Sequence, residues 1–141
     1  MTRTIHRTIS MPCQTGFLQE VRSLIKRSLA DAGVSGKKAD WIILAVDEAV
    51  SSIVRYANYK GYDHDVSLDV DVDDVRFKAV VHDSLNVFDL NGGLTGDALT
   101  ERVARERSFT LGIFLIRQIM DEISYSYKKG FENTLEMICF L

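Results

Sequence analysis

Proline is nearly missing: Pro12 is the only one among 141 residues. No Pro/Gly/Ser-rich stretch, internal repeat or low-complexity tract marks a linker, so one domain spanning residues 1–141 is expected. Cysteine is scarce too. Cys13 and Cys139 stand near opposite ends, neither lies in a CxxC pair, and no His/Cys group has metal-ligand spacing. That speaks against a zinc or redox module, and the two thiols read as small apolar filler in preference to a disulfide. No apolar run reaches the ~20 residues of a membrane helix, and MTRTIHRTIS at the start holds none of signal-peptide length. Charge of one sign is not in excess either: a net charge of −3 gives no reason to expect a nucleic-acid backbone as partner. The expectation is a soluble protein of the reducing cytoplasm, with no membrane and no direct nucleic-acid contact.

What is present is strongly patterned. Ile5, Arg7 and Ile9 fall on one face of a short strand that Pro12 closes. From Phe17 to Ala32, Phe17, Leu18, Val21, Leu24, Ile25, Leu29 and Ala32 recur at helical spacing, and Gly33 is placed to end that helix in the left-handed conformation. Lys37 to Tyr59 predicts the longest helix, with Trp41, Leu44, Ala45, Ala49, Ser52, Ile53 and Tyr56 as its stripe. Asp40 would cap it or complement its dipole, and Gly61 would close it.

Two strands with clean alternation follow. Val66, Leu68, Val70 and Val72 share one face, Asp73-Asp74 makes a tight turn, and Val75, Phe77, Ala79 and Val81 share the next. The stretch 91–108, with Gly92, Gly93, Gly96 and a charged run, reads as a mobile loop with one helical turn. Leu111 to Ile123 is apolar at helical spacing, and 124–128 with 134–140 alternate as a second hairpin. This order predicts an α+β fold: a two-layer α/β sandwich, its mostly antiparallel sheet carrying helices on one face.

Three segments carry chemistry: Leu44-Ala45-Val46-Asp47-Glu48-Ala49-Val50-Ser51-Ser52-Ile53-Val54 on the second helix, Val81-His82-Asp83-Ser84-Leu85-Asn86-Val87-Phe88-Asp89 after a strand, and 111–123. In this order, with a long loop before the third, they resemble the N, G1 and G2 boxes of the GHKL ATPases, whose fold is the Bergerat type. The branch they are most similar to is that of the anti-sigma-factor serine kinases, and the resemblance covers nearly the whole chain.

The resemblance implies roles for particular residues. In the N box, Glu48 matches the catalytic Glu that activates the attacking hydroxyl or water. Ser52 occupies the position of the Asn that holds Mg²⁺ against the phosphates of ATP or ADP, and Asn58 lies too far along the helix to replace it. In the G1 box, Asp83 matches the acceptor of the adenine amino group. Leu85 stands where a glycine lets the base approach, and Val87 stands at the next small position. In the G2 box Gly112 is retained, while Phe109 and Thr110 stand at small positions that wrap phosphates. Arg105, with Arg102 and Arg107, reads as a lid residue reaching phosphates or as part of a solvated charge run. His64 and His82 have no partner pattern.

One metal ligand and several backbone-approach glycines are thus replaced, which predicts an eroded site with Mg²⁺ poorly held and Leu85 and Phe109 in the nucleotide's space. The leading expectation is a regulatory protein resembling an anti-sigma factor of a bacterial partner-switching system. It would bind a sigma factor or an antagonist protein, pair as a homodimer, and hold ATP weakly or not at all. The alternatives are an active ATP- and Mg-dependent protein serine/threonine kinase acting on the antagonist, and a module that only dimerises.

Overall fold

The computed structural model describes residues 4–61, 63–83, 114–126 and 133–141. Along the chain run β1 (Ile5–Pro12), a 3₁₀ turn (Thr15–Phe17), α1 (Leu18–Asp31), α2 (Gly36–Lys60), β2 (Asp65–Val72), β3 (Arg76–Asp83), β4 (Glu122–Ser126) and β5 (Asn133–Phe140). Residues 114–119 are helical. The strands form one sheet of order β1-β2-β3-β5-β4, and all four pairings are antiparallel. α1 packs on β1 and β2, and α2 packs on α1 and β3. The α+β expectation is met.

Alternation builds the inner layer. One row across the sheet reads Ile9, Leu68, Val81, Leu135, Tyr125, and another, two inward positions along, reads Val72, Phe77, Cys139. From these rows Leu68, Val81, Leu135, Val72, Phe77 and Cys139 are all buried to within 1% exposure. Each such side chain contributes about 1.5–3 kcal/mol by leaving water. The opposite face is polar and wet. There His6 lies 2.6 Å from Asp71, His82 lies 2.9 Å from Asp69, and Lys78 lies 3.7 Å from Glu136. Pairs this exposed contribute about 0–1 kcal/mol each, so His82 has a structural pairing.

The helix ends follow from glycine. Gly33 has φ +80°. The Val34 N–H donates to Leu29 O at 2.9 Å and the Gly33 N–H to Ala30 O at 3.0 Å, which satisfies two of the carbonyls at the end of α1. Gly61, at φ +71°, closes α2 in the same region.

Four local expectations are corrected. Asp40 does not cap α2, because the helix begins at Gly36 with Ser35 at the N-cap. Val75 is not a strand residue but part of the turn. Asp73 Oδ1 accepts the N–H groups of Val75 and Arg76 at 2.8 and 2.9 Å, leaving Val75 66% exposed. Those two hydrogen bonds hold the Asp73 carboxyl below its ordinary value. Glu122 and Ile123 belong to β4, not to a helix. The Asp121 N–H already donates to Ile138 O, and its Oδ2 accepts the Phe140 N–H. The buried arc of α2 is wider than the expected stripe: Ala45, Ala49, Ser52 and Ile53 are buried as expected, together with Ile42, Val46, Val50, Val54 and Ala57, whereas Trp41 is 51% exposed. A helix packed against both a sheet and another helix buries a wider arc than a single stripe.

Candidate nucleotide site

Helical spacing places Glu48 and Ser52 one turn apart on α2, at the edge of its buried face. The rotation of α2 is fixed from α1: Arg22 Nε donates to Asp47 Oδ1 at 2.8 Å. Ser52 is 1% exposed, and its hydroxyl donates to the backbone carbonyl of Glu48 at 2.7 Å. Arg55 joins them from the next turn. Its Nη2 donates to Ser52 Oγ at 3.2 Å and stands 3.6 Å from Glu48 Oε2. Sequence reasoning missed Arg55, although its spacing of three from Ser52 and seven from Glu48 puts it on the same face.

Asp83 is the last residue of β3 and 4% exposed, in the inward alternation of Phe77, Ala79 and Val81. It therefore faces the layer of helices. Its partner across the β3–β5 ladder is Asn133, 1% exposed, whose Oδ1 is buried without a hydrogen-bond partner. Asn133 also went unrecognised in the sequence. Running the alternation of Leu135, Met137 and Cys139 back by two residues would have put it on the inner face. An orphaned buried acceptor beside a carboxylate suits a ligand that brings N–H donors, as the amino group of adenine does.

Cys13 lies near the same end of the sheet. Burial pushes its thiol up to about 11, with the negative charges of Asp83 and then Asp65 adding to the shift. Cys139 is raised as well, chiefly by burial. Both are free and buried, so they serve as neutral packing groups, not nucleophiles. Among the described residues, no three His, Cys, Asp or Glu side chains group so as to hold a metal, and no helix is long and apolar enough to cross a membrane. Leu85, Val87, Arg102, Arg105, Arg107, Phe109, Thr110 and Gly112 lie outside the described residues, and so does the 91–108 loop. The structure thus brings Glu48 and Ser52 together on α2 and places Asp83 on the sheet, but says nothing of the G2 box.

At the N-box position the described residues offer a divalent ion the Ser52 oxygen and the Glu48 carboxylate, with Arg55 beside both. Mg²⁺ requires near-octahedral oxygen ligands at short range. Here the Ser52 oxygen already donates to one group and accepts from another. An ion held there would face the Arg55 guanidinium as well as the Glu48 carboxylate 3.6 Å from it, charges that act on the ion in opposite directions.

Residues 12–139 match the family model described as the histidine kinase-like ATPase domain. The serine-protein kinase RsbW of Staphylococcus epidermidis is 27% identical over 137 residues, covering 93% of this chain and 84% of that protein. The same values are found for RsbW of two strains of that species. Among solved structures, the SiaB–SiaC complex from Pseudomonas aeruginosa contains a chain that superposes with a TM-score of 0.70 at 16% identity, covering 94% of this chain and 88% of that one. At that identity the likeness concerns the fold. With the match running over almost its entire length, the chain belongs to the histidine kinase-like ATPase domain family.

Proposed function

We propose that this protein is a regulator of a bacterial partner-switching system. It binds a sigma factor or an antagonist protein in the cytoplasm, pairs as a homodimer, and has weak or no remaining ATP binding. The observation that carries the loss of nucleotide chemistry is the state of Ser52. A serine in place of the metal-holding residue, with its hydroxyl donating to Glu48 O and accepting from Arg55, is a weaker Mg²⁺ ligand than the residue it replaces. Support for the protein-binding half comes from the relatives. One is named a serine-protein kinase, and the similar fold was solved in a two-protein complex. Fold likeness alone does not transfer activity.

A second reading is favoured by the opposite end of the site. Asp83 and Asn133 form a buried polar floor of the kind a base requires. On that reading the chain is an ATP- and Mg-dependent serine/threonine kinase acting on the antagonist, with Glu48 as base, Ser52 as metal ligand, and Asp83, Leu85, Arg105, Phe109, Thr110 and Gly112 around the nucleotide. One experiment separates the two. The purified chain is mixed with sigma factors and antagonist proteins from its own genome, with MgATP labelled at the γ-phosphate. Complex formation without transfer of label to the antagonist is expected. Label on an antagonist serine that disappears in Glu48→Ala would establish the kinase reading instead.

A further inference from the structure

A cavity of about 280 Å³ is lined by Lys38, Trp41 and Ile42 from the start of α2, Gln118 and Ile119 from the 114–119 helix, and Cys139 from β5. At the rise of a helix, Ser52 stands about 21 Å from Lys38 along α2. At the rise of a strand, Asn133 stands about 20 Å from Cys139 along β5. The cavity therefore lies at the other end of the inner layer from Glu48, Ser52 and Asp83, and their roles make no use of it. Its floor is apolar: Ile42 is 0% and Cys139 1% exposed, with Ile119 packed against the same core. Trp41 stands half-exposed beside that floor, offering a large aromatic face that a seated ligand would take out of water. Lys38 and Gln118 are exposed and bring an ammonium and an amide to the lining. Lys38 and Asp121 both act on the Cys139 thiol, the first lowering its pKa and the second raising it. Asp121 does not line the cavity, and its Oδ2 accepts the Phe140 N–H at 2.6 Å. Lys38 is thus the one charged group on the lining.

We propose that this cavity binds a small carboxylic acid with an apolar body, of the medium-chain fatty acid class. Its carboxylate pairs with Lys38, and its body lies against Trp41 and reaches Ile42, Ile119 and Cys139. Ligand sites are mostly apolar, carry a few placed polar groups, and commonly measure about 300–1,000 Å³. At about 280 Å³ this one takes a compact ligand. A lone cation on the lining sets the sign of the ligand's charge, and the apolar floor excludes a compact polyanion such as phosphate, which would leave that floor uncovered. The site does not depend on how the nucleotide end is read, and its test is independent of the one given for the proposed function.

Trp41 is the chain's single tryptophan, so its emission reports on the cavity directly. The test follows that emission while the intact chain is titrated with sodium octanoate or with octanol, its uncharged counterpart. Octanoate is expected to give a saturating blue shift, with octanol binding about three- to fivefold more weakly, the difference an exposed ion pair supplies. Lys38→Met should weaken octanoate by the same factor and leave octanol unchanged. Adding Gln118→Lys to Lys38→Met returns a cation from the other helix and should restore octanoate. The absence of a saturating shift up to millimolar octanoate would overturn the proposal. Equal affinity for octanoate and octanol, or octanoate binding unchanged in Lys38→Met, would overturn it too. A blue shift that grows with protein concentration alone would mean that a second copy covers Trp41, and would also overturn it. Circular dichroism and the thermal midpoint of each variant establish that a loss is not unfolding.

Discussion

Truncating Phe77 to alanine is expected to lower the unfolding free energy by about 3–5 kcal/mol. Phe77 is fully buried in the middle strand of the sheet, between Val72 and Cys139 on the flanking strands. The surrounding layer is close-packed by helix side chains such as Ile42, Val46 and Ile53, all at 0% exposure. A helix and a five-stranded sheet do not collapse easily around a lost ring, so the cavity term adds to the transfer term. Urea denaturation followed by circular dichroism reads the change as a lower midpoint at constant slope. A loss below about 1 kcal/mol is what surface positions give, and would contradict the placement of Phe77 at the centre of the core.

The second large effect is a gain. The double variant Leu85→Gly/Phe109→Gly is expected to bind ATP at least about tenfold more tightly than the natural chain. The resemblance places both bulky residues where the family keeps backbone open to the base and the phosphates. Removing them restores approach without touching Glu48, Ser52 or Arg55. Because Ser52 is unchanged, the gain should be the same in Mg²⁺ and in EDTA. Titration calorimetry of both proteins in both buffers measures it. An unchanged affinity would show that these two side chains do not occupy the nucleotide's space.

The sheet was legible because its inner face is apolar and its outer face is not. Val66 to Val72 and Phe77 to Val81 alternate without a break, and the register follows from that pattern. The ends of α1 and α2 were legible for a different reason. Gly33 and Gly61 take backbone conformations that other residues enter only with strain, and both sit directly after an apolar periodic run. α2 was misread in detail. Its expected stripe holds at Ala45, Ala49, Ser52 and Ile53 but fails at Trp41, and the buried arc extends to Ile42, Val46, Val50, Val54 and Ala57. A spacing of three and four fits several arcs when apolar residues surround a helix, and only its neighbours decide among them.

The site divides in the same way. Glu48, Ser52 and Asp83 were singled out from local motifs; the structure puts the first two one turn apart on α2 and Asp83 at the end of β3, facing inward. Asn133 was not found, because the expected strand began one residue later, at 134. Its position opposite Asp83 is fixed by a pairing between β3 and β5 that spans the long insertion after β3. Arg55 was not singled out in the sequence. Its meaning comes from the Ser52 hydroxyl it holds, a contact that depends on side-chain geometry as well as spacing.

The measurement that bears most directly on the central claim is calorimetric titration of the natural chain with ATP and Mg²⁺, repeated after removal of the metal. A dissociation constant no tighter than about 100 µM, equal in both conditions, is the predicted result. A micromolar constant that vanishes with EDTA would contradict it and identify an intact Mg²⁺-ATP site.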